Sequence, residues 1–168
     1  MSGGVSIRPA APDDVQAVLD LHRAAAVTPG GLARAPHEIS RDYVEQAIGG
    51  AGAVSLVAVG PDGGIWGEIH GRREGVALFA HVLANLTVAV HSQRQGLGIG
   101  SRLFAALIAH ARAMQPPILR LELAAGAGNP GAVRLYERLG FQHEGRQIAR
   151  GRYPDGHFED DILMGLLL

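Results

Sequence analysis

The run Arg94-Gln95-Gly96-Leu97-Gly98-Ile99-Gly100-Ser101 constrains this chain more than any other segment. A strand-like stretch, His81 to Val90, leads into it, and Leu103, Phe104, Leu107, Ile108 and Ala111 follow it at helical spacing. The glycines at 96, 98 and 100 remove Cβ atoms where the backbone must turn tightly and where a ligand can approach it. The unpaired N–H groups that open the following helix then form an anion site suited to a phosphate or pyrophosphate. A tight turn with no ligand is the plainer reading of the same glycines. Two nucleotide signatures fail here. The dinucleotide fingerprint Gly-x-Gly-x-x-Gly meets Ser101 where its last glycine belongs, and a P-loop needs a lysine that this chain does not contain.

Composition narrows the remaining chemistry. A length of 168 residues suits one domain, residues 1–168, with a sizeable core. All 15 basic residues other than histidine are arginine, so Schiff-base catalysis is excluded. No cysteine is present, which removes disulfides, thiolate nucleophiles and cysteine-ligated metals and suits a reducing, cytoplasmic setting. A net charge of −1 gives no basic face for nucleic acid. The longest apolar stretch, Val76 to Val90, is broken by His81, Asn85 and Thr87, so no membrane span or leader is expected. The eight histidines show no His-x₃-His pair and no obvious carboxylate partners, so no metal site is expected.

Periodicity predicts a mixed α/β chain. Val5 to Arg8 is strand-like, Asp13 is an N-cap, and Val15, Val18, Leu19 and His22 form one helical face that stops before Thr28-Pro29-Gly30-Gly31. Ser40 caps a second helix carrying Tyr43, Val44, Ala47 and Ile48, after an irregular loop from Pro29 to Ile39. Ala53 to Val59 and Ile65 to Arg72 flank a glycine-rich turn and form a hairpin. Pro116-Pro117 ends the third helix, and Ile118 to Ala124 is strand-like. Asn129 and Pro130 read as N-cap and first helical position, Ala132, Leu135, Tyr136 and Leu139 as a stripe, and Gly140 as the C-terminal cap. Phe141 to Tyr153 and Phe158 to Leu167 are extended segments around the turn Pro154 to His157. The arginine-rich part of the first of these, Arg146 to Arg152, reads as a solvated edge strand.

The segment Val90 to Leu103 resembles the acetyl-coenzyme A loop of the GNAT family of N-acetyltransferases, whose pattern Gln/Arg-x-x-Gly-x-Gly/Ala is met by Gln95, Gly98 and Gly100. A second block, Asn129 to Phe141, is similar to the family's Asn-x-x-Ala-x-x-Leu-Tyr-x-x-x-Gly-Phe, and Ile7-Arg8-Pro9-Ala10 with Asp13 to its opening. The resemblance covers most of the chain. It implies a mostly antiparallel sheet, flanked by about four helices and splayed between the strand ending at Val90 and the strand Ile118 to Ala124. It also implies that Val88, Ala89 and Val90 bind the pantetheine arm. The amides of Gln95, Gly96, Leu97, Gly98, Ile99, Gly100 and Ser101 would hold the pyrophosphate, Asn129 would touch the cofactor from across the split, and the Tyr136 hydroxyl would lie near the thioester sulfur.

The reaction itself sets further demands. An alkyl amine has a pKa of about 10, so a base, often through water, must take a proton before the nitrogen attacks a thioester. An oxyanion then needs an N–H, and a departing thiolate needs a hydrogen-bond donor such as Tyr136. On helical position alone Tyr136 reads as a core residue on an apolar face, and it is the Asn129 to Phe141 block that favours the donor role. Some relatives carry a glutamate base on the strand before the loop, but Ala84-Asn85-Leu86-Thr87 offers no carboxylate. The nearest base candidates are His81 and the alternating pair Glu68 and His70, each of which also reads as a satisfied polar residue; Asn85 is a candidate to hold a relay water.

The expected function is transfer of acetyl from acetyl-coenzyme A to the primary amine of a small molecule, an amino acid among the options. His81-Val82, Glu144-Gly145 and the ending from Asp155 to Met164 resemble the branch acting on free amino acids and amino-acid-like compounds. Arg34, Arg72 or Arg73 would then hold the acceptor's carboxylate. The alternatives are a peptide N-acetyltransferase, with Glu159, Asp160 and Asp161 drawing a basic peptide, and a coenzyme A-binding homologue without catalysis. A homodimer is expected from the apolar run Ile162 to Leu167.

Overall fold

The computed structural model describes residues 4–168. Its frame is a seven-stranded sheet in the order β1-β2-β3-β4-β5-β7-β6. The strands are β1 (Ser6–Pro9), β2 (Ala53–Val59), β3 (Ile65–Arg73), β4 (Val82–Val90), β5 (Arg120–Gly126), β6 (Gln142–Arg152) and β7 (Phe158–Leu167). The helices are α1 (Val15–Ala26), α2 (Arg41–Gly49), α3 (Ile99–Ala113) and α4 (Pro130–Arg138). All pairings are antiparallel except β4 with β5, which run parallel and pair only at Val82–Arg120 and Leu83–Leu121.

Alternation along the strands separates the two faces. Leu56 and Ile69 join Leu103, Phe104 and Leu107 of α3 in the larger core, while Val57 joins Val15, Val18 and Leu19 of α1 and Val44 of α2 on the opposite face. Tyr136 of α4 packs edge to face on Phe104 and Phe141, with centroids 5.5 and 5.9 Å away, fastening α4 to α3.

Beyond Leu83 the parallel pair separates. His70 pairs with Thr87 but Arg72 with Ala84, so β4 holds one extra residue there, and Asn85 takes a left-handed conformation with φ 55°. A bulge of this kind bends and twists its strand, and it starts where contact with β5 stops. Gly71 permits it: a Cβ at that position would lie 2.5 Å from Leu86 Cδ2 and 3.2 Å from the Ala84 carbonyl oxygen.

Ser40 caps α2 by accepting from the Tyr43 N–H, and Asn129 caps α4 by accepting from the Ala132 N–H, as the sequence predicts. Asp13 is not the cap of α1. A 3₁₀ turn, Pro12–Asp14, precedes that helix, and the Asp14 carboxylate accepts from the Ala11 N–H and from Arg8 instead. The apolar run Ile162 to Leu167 lies on β7, an inner strand between β5 and β6, where Met164 is buried. Among the described residues no helix is long and apolar enough to cross a membrane.

Candidate active site

The gap between β4 and β5 opens into three adjoining cavities. One of about 240 Å³ lies next to the glycine loop, bounded by Val88, Val90, Gln95, Asn129 and Tyr136. A narrower one of about 170 Å³ shares Val88, Asn129 and Tyr136 with it and continues to Leu86, Thr87 and Ala124. Those three residues also bound a chamber of about 720 Å³ walled by Arg34, Tyr43 and His70. Tyr136 therefore stands midway between the loop and the large chamber.

The loop provides free donors. Gly96 and Gly98 have φ of 77° and 71°, left-handed values costly to any residue with a Cβ, and Gly98 is the N-cap of α3. The first helical backbone bond runs from the Arg102 N–H to the Gly98 carbonyl, so the amides of Ile99, Gly100 and Ser101 are free of helical partners. The Gln95 N–H differs, being turned to the Ser92 carbonyl at 3.4 Å. Arg94 stacks on the Trp66 ring at 4.0 Å, and Asp62 accepts from the indole N–H, bracing the loop's approach.

The edge of β4 provides the rest. The His91 N–H donates to the Trp66 carbonyl, which fixes the hydrogen-bonding phase with β3. Ala89 and Thr87 then turn their backbone groups to β3, while Val88 and Val90 turn theirs to the gap. Asn129 lines that gap, but its amide is committed: Oδ1 caps α4 and Nδ2 donates to the Gly30 carbonyl at 2.7 Å. It thereby ties the segment after α1 across the opening.

At the large chamber, Glu68 and His70 are joined by His22 of α1, which no short spacing places beside them. Glu68 is fully buried on β3. It accepts from Ser55 Oγ at 2.6 Å, from His22 Nε2 at 2.8 Å and from His70 Nδ1, 3.1 Å from both of its oxygens. Burial alone would raise the carboxyl's pKa, but His70 and His22 more than offset it and hold the pKa down to about 2. An ionised carboxylate only accepts, so both imidazoles donate to it. His22 Nδ1 is then a bare acceptor, in keeping with its having no partner; a protonated His22 would bury an orphan N–H. His70 Nε2 is left with its lone pair at the chamber wall, 3.4 Å from the Tyr43 hydroxyl.

Ligand atoms of His22, Glu68 and His70 lie within 4.8 Å of one another, a cluster that the sequence spacing did not reveal. The 2.8 and 3.1 Å contacts are hydrogen-bond lengths. Tetrahedral metal bonds of about 2.0–2.1 Å would spread the ligands to about 3.3 Å, somewhat farther than these hydrogen-bonded contacts.

Several sequence candidates fall elsewhere. His81 is exposed at the closed end of the split, where its backbone carbonyl accepts from Leu119 and Arg120, and it borders none of the three cavities. Asn85 reaches the chamber wall through its bulge. Arg34 and Arg72 line the chamber, whereas Arg73 is held on the Ala80 and Pro116 carbonyls. Arg150, read from sequence as part of a solvated edge, lines the chamber as well. Burial raises the Tyr136 pKa with no opposing hydrogen bond, so its phenol stays protonated.

The sheet is thus parted between parallel neighbours, with amides free of helical partners at one end of the gap and a carboxylate-oriented imidazole at the other. The model of the acetyltransferase (GNAT) family matches residues 20–141, and the chain belongs to that family. It is an acetyltransferase, and the family's acetyl donor is acetyl-coenzyme A. Solved structures agree on the fold. A GNAT-family acetyltransferase from Streptococcus pneumoniae is 26% identical, with TM-score 0.80 over 98% of this chain and 100% of that one. A phosphinothricin acetyltransferase from Sinorhizobium meliloti in complex with AcCoA is 20% identical, with TM-score 0.84 over 100% and 89%. The ribosomal-protein-S18-alanine N-acetyltransferase from Escherichia coli is 21% identical, with TM-score 0.78 over 98% and 94%. No curated protein matches the chain significantly in sequence.

Proposed function

We propose that this acetyltransferase acts on the primary amine of a small molecule, by direct attack while acetyl-coenzyme A and acceptor are bound together. The observation that carries this reading is His70 Nε2 at the wall of a chamber of about 720 Å³, joined through the gap to Tyr136 and the glycine loop. That volume falls in the range of small-molecule sites. Two of the three carboxylates that would draw a basic peptide are already engaged: Glu159 accepts from the Gly128 N–H and the Tyr153 hydroxyl, and Asp160 from Arg146 and the Ala149 N–H, which leaves Asp161.

The residues present suit the donor. The free amides of Ile99, Gly100 and Ser101 would hold its pyrophosphate, and the outward groups of Val88 and Val90 its amide-bearing arm. Bound there, acetyl-coenzyme A supplies an activated acyl carbon. His70 Nε2 takes the proton of the incoming ammonium, and Glu68 stabilises the imidazolium that results. The Val88 N–H is the candidate donor to the carbonyl oxygen. As the nitrogen–carbon bond forms and the carbon–sulfur bond breaks, Tyr136 hands its proton to the sulfur. The proton on His70 then returns to Tyr136 through solvent, leaving N-acetylated product, free thiol and one proton released to bulk water.

Thiol release from acetyl-coenzyme A tests this across amino acids, other small amines and short peptides. With no cysteine the protein itself is silent to thiol reagents. Turnover with small amines and not with peptides is expected. Turnover confined to peptides would overturn the acceptor class, and tight binding without turnover would favour a non-catalytic homologue.

A further inference from the structure

β6 departs from regular pairing where it passes the chamber. Gln147 pairs with Asp161 and Gly151 with Glu159, so β6 spends two more residues than β7 over this stretch. The surplus forms a bulge in which Ala149 adopts φ 52°, an uncommon value for a residue with a Cβ. Asp160 holds it: one carboxylate oxygen accepts from the Ala149 N–H at 2.7 Å and the other from Arg146 Nε at 2.7 Å. The bulge sets Arg150 into the wall that also carries His70, Arg34 and Arg72.

The charge of that wall is one-sided. Among the described residues it contains three arginines and no Asp or Glu, the Glu68 carboxylate lying buried behind His70. The Arg72 guanidinium is tied to the Ala51 and Gln46 carbonyls, and Arg34 lies over the Tyr43 ring at 4.5 Å. Among the described residues, neither Arg34 nor Arg150 is in an ion pair. Such a chamber repels an acceptor whose only charge is positive and favours one that brings an anionic group along with its amine.

We infer that Arg150, presented by the bulge, is a specificity-determining residue that with Arg34 binds an anionic group of the acceptor, and that Asp160 is its positioning residue. The inference rests on reading this chamber as the acceptor site. It assigns the substrate class as amines bearing a carboxylate or similar oxyanion, with polyamines excluded, and it gives a bidentate partner to a charge that sequence spacing placed on an edge strand.

Titration calorimetry with succinate, in the absence of donor, isolates the anion site from turnover. We expect wild-type protein to bind succinate with an affinity that falls as salt rises, Arg150→Gln to weaken it at least fivefold, and Asp160→Asn to weaken it about two- to threefold with the circular dichroism spectrum retained. Arg152→Gln removes a neighbouring arginine that stacks near Phe158 outside the chamber and should leave binding unchanged. No succinate binding by the wild type, equal binding by Arg150→Gln, or equal weakening by Arg152→Gln would each overturn the inference. A matched acceptor pair then connects the site to function: Arg150→Gln should raise KM for L-phenylalanine at nearly constant kcat and should lower KM for 2-phenylethylamine, whose only charge is positive. A KM rise of the same size for both amines would overturn it. Absence of wild-type turnover with every small amine, with succinate binding still dependent on Arg150, would refute the small-molecule acceptor reading and leave the anion site standing.

Discussion

Replacing Glu68 by Gln preserves shape and removes the negative charge at the centre of the buried network. The wild-type carboxyl, held at about 2 against an ordinary 4.5, stabilises the folded state by on the order of 3 kcal/mol near neutral pH. A depressed carboxyl pKa gives stability that is fully present above the unfolded value and is lost as pH falls through the folded one. The melting temperature of Glu68→Gln should therefore lie roughly 6–12 °C below wild type at pH 7, and the gap should close between pH 4.5 and 2. Activity falls further than stability. His70 Nδ1 is 3.1 Å from both carboxylate oxygens, and a neutral amide in their place no longer stabilises the imidazolium that forms when His70 takes a proton. The base is weakened, and the loss should be about 10²-fold or more in kcat/KM by thiol release at a temperature where the variant is folded. A variant that melts with wild type at pH 7, or keeps kcat/KM within threefold, would refute the coupling of Glu68 to His70.

Other substitutions separate the parts of the site. Tyr136→Phe should lower kcat tenfold or more at nearly unchanged KM for acetyl-coenzyme A, with the melting temperature held, because no side chain among the described residues hydrogen-bonds the phenol. Gly98→Ala places a Cβ at φ 71° and should cost about 1–2 kcal/mol by denaturant titration while raising KM for acetyl-coenzyme A. Asn129→Ala removes the α4 cap, worth about 1 kcal/mol, and releases Gly30, so faster proteolysis of the segment after α1 should accompany the stability loss.

The parts of this site that depend on short spacings were legible in the sequence. Gly96 and Gly98 announce their left-handed turns, and the Asn129-Pro130 cap followed by an apolar stripe fixes α4 and hence Tyr136. Alternation put Glu68 and His70 on one face, but nothing local told which would be buried and which would reach the chamber. His22 is 46 residues away from Glu68 on a helix whose apolar stripe absorbs it as a core residue, so only packing shows that it donates to Glu68. Arg150 does lie exposed on an edge strand, as its sequence implies, and what short spacings did not show is that it also borders the chamber. An alternating edge strand solvates its arginines, and the bulge that redirects this one depends on Asp160 from the facing strand. His81 is the reverse case: its side chain is suited to catalysis, yet the two β4–β5 pairs beside it close the split at that end and leave the imidazole outside.

The most direct test of the account is the pH dependence of acetyl transfer to a small amine by wild type and His70→Gln, followed as thiol release with mass detection of the N-acetyl product. Wild type should lose kcat/KM on the acidic side as a group in the free enzyme protonates, and His70→Gln should be slower by about 10²-fold or more near neutral pH and lack that limb. An unchanged acidic limb in a folded His70→Gln enzyme of near wild-type activity would contradict the assignment of His70 as the base.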